Sequence, residues 1–146
     1  MMDFRDYLTL ASTLANGVTE AEWRSASSRA YYAAFHVARR LLLDLGFRVP
    51  RADKAHGYLW LRLSNAGQAD VIQAGRRLND LRRERNRADY DDHLAITQGF
   101  ATSNVRLAEE IVQALDAAAV EPVRTQITDA MKIYERDVLH DVTWHP

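Results

Sequence analysis

A capping box at Thr19 and Glu22 opens a stretch that meets no helix breaker until Gly46. This uninterrupted run constrains the fold more than any other part of the chain. A threonine three residues ahead of a glutamate lets each side chain satisfy a backbone N–H at the other's position. About 27 residues rising 1.5 Å each make a helix roughly 40 Å long, the spine of a domain. Its apolar residues fall in two rows, Trp23, Ala26, Ala30, Ala34, Val37 and Leu41, then Tyr31, Phe35, Ala38, Leu42 and Leu45. Two rows require contact on more than one side. A third row, Ser25, Arg29, Tyr32, His36 and Arg40, reads either as a boundary stripe that snorkels to water or as the wall of a cleft.

The remaining breakers predict five further helices. The first runs from about Met2 to Ala15 and closes at Asn16-Gly17, with Phe4, Tyr7, Leu8, Ala11 and Leu14 on one face. A short helix spans about Lys54 to Ser64, and a longer one runs from about Ala69 to near Tyr90. The fifth carries a seam of Ile96, Phe100, Ser103, Leu107, Ile111, Ala114 and Ala118. Pro122 starts the sixth, whose seam is Val123, Ile127, Met131, Tyr134 and Val138. The tail ending Trp144-His145-Pro146 is expected to fray or to dock on another subunit. No alternating apolar run suggests a sheet, so the fold class is all-α, an antiparallel bundle of four to six helices.

With 146 residues, one core can bury about two-thirds of the unfolded surface. The expected division is a bundle over residues 1–120 and a C-terminal helix and tail over 121–146, packed on the same domain or on a partner. The apolar share of 47%, with six glycines and three prolines, argues against much disorder. No cysteine is present, which removes disulfides and thiolate metal sites. The apolar runs are too short to span a bilayer, and Asp3, Arg5 and Asp6 interrupt the start as no signal peptide would. A cytoplasmic protein with no membrane partner is expected.

The formal net charge is −1, so attraction to nucleic acid would have to come from a local patch. One exists between Arg76 and Arg87, where six arginines face only Asp80 and Glu84. It is either a solvated helix surface or a phosphate-binding patch. Val71, Ala74, Leu78 and Leu81 form the buried seam of this helix, and Arg85 and Ala88 continue it. An arginine on a seam must be paired or face a wet crevice.

Phosphate loops, paired-histidine zinc helices, dinucleotide turns and the Glu-x-x-His of di-iron bundles are all absent from the sequence. No cofactor or metal is expected. What remains is chemistry open to arginine, histidine, tyrosine and carboxylate, such as RNA transesterification. Arginine's fork suits the phosphate, and histidine suits proton transfer near neutral pH. Arg85, Arg87 and His93 lie within nine residues.

The segment Ser28-Arg29-Ala30-Tyr31-Tyr32-Ala33-Ala34-Phe35-His36, followed by Arg85-Asn86-Arg87-Ala88-Asp89-Tyr90, resembles the HEPN domain superfamily over about residues 2 to 118. It is nearest to small prokaryotic members. The resemblance implies a helical bundle that homodimerises and targets RNA or a nucleotide. Many such proteins are metal-independent endoribonucleases in toxin–antitoxin or defence modules, and several work beside a minimal nucleotidyltransferase antitoxin. It also implies an alternative, a non-catalytic module that binds nucleotide, RNA or a nucleotidyltransferase. Arg85 and Asn86 match the start of the family's catalytic motif. The histidine of the commonest form falls on Tyr90, and tyrosine, with a reference pKa near 10, is a poor general base. His93 fits a looser register counted from Arg87. The expected catalytic set is therefore Arg85, Asn86, Tyr90 and His93, with Arg29, Tyr32, His36, Arg82 and Asp89 binding substrate.

Overall fold

A computed structural model describes residues 3–146. Its elements are α1 (Asp6–Ala15), α2 (Glu20–Leu45), α3 (Lys54–Leu63), α4 (Ala69–Tyr90), α5 (Gln98–Ala118) and α6 (Val123–Tyr134), with a π-helical turn over Glu135–Leu139. No strand occurs among the described residues, and the one isolated bridge joins Phe47 to Trp144. The fold is an all-α bundle. Most boundaries lie within a residue or two of the expected ones. The first helix starts later, at Asp6, after a turn through residues 3–5, and Met2 lies outside the described residues.

The capping box forms as expected. Thr19 Oγ1 accepts from the Glu22 N–H at 3.2 Å, and Glu22 Oε1 accepts from the Thr19 N–H at 3.2 Å. At the other end Gly46 takes φ +107°, and a Cβ there would lie 2.8 Å from Trp144 Nε1. Both apolar rows of α2 are buried apart from Trp23, and α2 packs against α1, α3, α4 and α5.

The fifth seam is shifted from its expected position. Ala101, Asn104, Val105, Ala108, Ile111, Val112, Leu115 and Ala118 are buried, whereas Ser103 is exposed and Phe100, Leu107 and Ala114 sit at the border. Ala101 and Ala108 face inward because their small side chains let the helices approach closely. Asn104 is buried with its amide donating to Ser27 Oγ at 3.0 Å.

The sixth seam is also corrected. Ile127 and Met131 are buried, but Val138 is 62% exposed. One turn beyond Met131 the seam passes to Glu135, which is fully buried. Its carboxylate accepts from Arg62 Nε at 2.7 Å and from the backbone N–H groups of Thr143 and Trp144 at 2.9 and 3.1 Å. Thr143 Oγ1 bonds to both Glu135 and the Tyr58 hydroxyl, while the Arg62 guanidinium lies 3.5 Å over the Tyr58 ring. Trp144 Nε1 donates to Leu45 O at 2.8 Å and the His145 N–H donates to Gly46 O at 2.9 Å. The tail is therefore neither frayed nor displaced; it docks on α2 and α3 of its own chain.

At Gly75 the backbone of α4 meets the end of α3. A Cβ there would lie 2.7 Å from Ser64 N and 2.9 Å from Leu63 C. Backbone cannot swing aside as a side chain can. Gly75→Ala is expected to destabilise by about 1–3 kcal/mol from overpacking, outweighing the gain of roughly 1 kcal/mol in helix propensity. Urea unfolding would show it as a lower midpoint.

Candidate functional site

The C-terminal half of α4 packs beside α2, which meets it through Arg24, Ser28 and Tyr32. Leu81 and Ala88, at 0% and 1% exposure, hold the two helices together, and Arg85 falls between them on the same seam. The end of α4 is tied down from the N-terminal turns of α2. Arg24 Nη1 donates to the carbonyls of Ala88 and Asp91, each at 2.9 Å, and its Nη2 donates to Leu94 O. Glu20 pairs with Arg24 at 3.0 Å and accepts the Ile96 N–H at 2.9 Å. One arginine thus satisfies helix-end carbonyls that would otherwise lack partners.

Arg85 is 14% exposed along its side chain. Nη2 donates to the Tyr32 hydroxyl at 2.7 Å and Nη1 to Asn86 Oδ1 at 3.2 Å. Nε lies 2.9 Å from Asp89 Oδ2, an ion pair by distance but off the N–H axis. Among the described residues the buried Nε–H consequently has no hydrogen bond. Ser28 Oγ donates to the same Asp89 oxygen at 3.3 Å, and the guanidinium lies 5.0 Å from the Tyr32 ring centre and 5.9 Å from that of Tyr90. The structure thus brings Arg85, Asn86, Asp89, Tyr32 and Tyr90 together.

Arg82, one turn earlier, is partly buried. Its buried Nε has no partner among the described residues. Beside it stands His56 of α3, which the sequence reading did not single out. Its Nδ1 is hydrogen-bonded to the Tyr31 hydroxyl, and its ring packs 4.6 Å from Phe35 and 5.5 Å from Tyr31. Burial, then the positive charges of Arg82 and Arg85, push the His56 pKa down to about 4, against a smaller upward pull from Asp53. The imidazole is neutral at physiological pH. Burial raises the Tyr31 phenol above its usual value. A signal for His56 existed in the spacing, since it shares the inward face of α3 with Leu59 and Leu63.

The other expected residues are placed less centrally. His36 is stacked between Phe4, 3.7 Å away and nearly parallel, and Tyr32, 6.3 Å away. Burial, then Arg39, lowers its pKa. Arg29 is exposed, with its guanidinium 5.6 Å from the Tyr7 ring centre. Tyr90 is 75% exposed. His93 is not gathered into the cluster: its side chain is 97% exposed, and its charged neighbour is Asp92 at 3.8 Å. The loop that follows α4 turns it outward, with Asp91 Oδ1 accepting the His93 and Leu94 N–H groups at 3.1 and 3.2 Å. Among the described residues no group of three or more His, Cys, Asp or Glu side chains is placed to hold a metal.

No curated protein and no solved structure matches the chain. The family model described as HEPN domain matches residues 6–118, from the first residue of α1 to the last of α5. That span holds the whole cluster around Arg85 and most of the molecule, and the chain belongs to the HEPN domain family.

Proposed function

We propose that this HEPN protein targets RNA, with Arg85 and Asn86 gripping a phosphate and Tyr32 and Asp89 holding the guanidinium in place. The observation that carries this reading is the seam arginine: Tyr32, Asn86 and Asp89 restrain it, and each terminal nitrogen, having given one N–H to Tyr32 or Asn86, carries a second. A fork fixed in advance loses little entropy on meeting a phosphate. In the catalytic form the protein is a metal-independent endoribonuclease toxin. It acts as a homodimer, with a minimal nucleotidyltransferase antitoxin as its partner, and Arg82, Arg29 and His36 line the path of the RNA.

One observation favours a second, non-catalytic reading, in which the crevice binds RNA or nucleotide without cleaving it. Neither Tyr90 nor the outward-facing His93 supplies a strong base beside Arg85. Incubating RNA with the protein in the presence of a metal chelator separates the two. Fragments support the toxin; intact RNA that is retained at low salt and released as salt rises supports the binding module. If RNA is not retained even at low salt, both RNA readings fail.

Tyr90→His is expected to increase metal-independent cleavage by about 10²-fold or more if the crevice otherwise suits catalysis. Because Tyr90 is 75% exposed, the same change should alter stability by no more than about 0.5 kcal/mol. Cleavage of a fluorogenic oligoribonucleotide and thermal melting would measure the two effects.

A further inference from the structure

A cleft of about 520 Å³ opens between the C-terminal half of α2, the last turn of α5 and the turn ahead of α1. Volumes of this order are those of small-molecule sites. None of Arg85, Asn86, Asp89, Tyr32 and Tyr90 lines it. Its floor is apolar: Val37, Leu41 and Leu115 are buried beneath it, and Phe4 stands at one side with its ring stacked on His36.

The charged groups around this floor differ in what they already hold. Arg5 makes a two-point pair with Asp116, at 2.8 and 2.7 Å, which ties the turn ahead of α1 to α5. Asp3 accepts the Arg5 backbone N–H at 2.9 Å, and Arg40 pairs with Asp44 at 3.2 Å. Arg124 gives its terminal nitrogens to Ala119 O and Asp44 O, at 3.3 and 3.1 Å. Those carbonyls lie at the negative ends of two helix dipoles, so this cation serves the bundle itself. Arg39, partly buried, has no ion pair or hydrogen bond among the described residues. Of four arginines and three aspartates around the cleft, it is the charge without a counterpart.

An apolar floor beside one unmatched cation complements a molecule with an apolar body and a single negative charge. The span of α2 along the cleft, from His36 to Asp44, rises about 12 Å, which favours an extended chain over a compact ring. We infer that the cleft binds a medium-chain carboxylate, its tail along Val37, Leu41 and Leu115 and its head on the Arg39 guanidinium.

The test is a titration of the isotopically labelled full chain with octanoate, below its micelle-forming concentration, followed through backbone amide signals. The expected result is a set of saturable shifts around residues 3–5, 36–44 and 115–119. Butanoate, with four fewer methylenes, should bind at least about tenfold more weakly, since each buried methylene contributes about threefold. Octanamide keeps the body and loses the charge, and should also bind about tenfold more weakly. Arg39→Gln should bring octanoate down to the level of octanamide and leave octanamide itself unchanged. The comparison of octanoate with octanamide needs only the wild-type chain, so it holds even if the variant folds poorly.

The absence of saturable shifts, octanamide binding as tightly as octanoate, or octanoate binding untouched in folded Arg39→Gln would each overturn the inference. Tight octanamide binding would mark a neutral apolar occupant, and shifts that follow protein concentration in place of octanoate would mark a second copy of the chain. Arg85→Ala should leave octanoate binding unchanged, so the carboxylate site and the RNA reading fail separately.

Discussion

Arg85→Ala is expected to weaken RNA binding by about 10–100-fold at low salt, the range for losing a charge-assisted, multi-point contact to phosphate. The logarithmic salt slope should flatten by about one, because one fewer phosphate is neutralised. If the wild type cleaves RNA, the rate should fall by about 10²–10³, as it does when a donor to a developing oxyanion is removed. Arg85→Lys should recover little of this. The Tyr32 hydroxyl at 2.7 Å and Asn86 Oδ1 at 3.2 Å are spaced for a planar fork, and an ammonium cannot reach both while holding a phosphate. The fold should survive, since Asp89 keeps its bond from Ser28 and the seam remains closed by Leu81 and Ala88. Filter retention across a salt series, with circular dichroism as the control, measures the effect. Unchanged retention by Arg85→Ala would refute the phosphate assignment.

Glu135→Ala should cost about 3–5 kcal/mol, the usual consequence of leaving one member of a buried ion pair without its partner. For a chain of this size that is a fall in Tm of roughly 10 °C or more. Four donors lose their acceptor together: the Arg62 guanidinium, the Thr143 hydroxyl and the N–H groups of Thr143 and Trp144. Replacing Arg62 and Glu135 together by apolar residues should recover only part of the loss, because the two backbone donors stay unmet. Acid should reproduce the effect in the wild type. Burial pushes the Glu135 carboxyl up, but the bonds from Thr143 and Arg62 outweigh it, and the net shift is downward. A folded-state pKa below the unfolded one adds stability that is fully present above about pH 4.3 and drains away as pH falls towards the folded value. Urea midpoints for wild type and Glu135→Gln should therefore draw closer as pH is lowered from 7 and the carboxyl takes up its proton.

Helix positions were legible because the breakers are unambiguous: Asn16-Gly17, Gly46, Asn65-Ala66-Gly67 and Pro122 each stand where a helix ends or begins. The side chain of Arg85 was legible too, because an arginine on an otherwise apolar seam has few acceptable surroundings. Two things could not be read. Periodicity ranks residues by apolarity, so it favoured Leu107 and Val138 and passed over Asn104 and Glu135, which are buried because distant partners satisfy them. The partners of His56 lie on other helices, Tyr31 25 positions before it, and no local pattern records such a meeting. His93 was proposed on proximity along the chain; the turn at Asp91 that sends it outward depends on side-chain bonds within the loop.

The anchoring of α3 by the tail also sets a timetable. Tyr58, half a turn from His56, meets its partner Thr143 across 85 positions of sequence. At a synthesis rate of about 5–20 residues per second, a ribosome needs roughly 4–17 s to add that length. Once Tyr90 has been added, α2 and α4 can pair while α3 still lacks its clamp. The His56 ring has its partners Tyr31 and Phe35 on α2 from the start, so what arrives late is the anchoring of α3 through Tyr58 and Arg62.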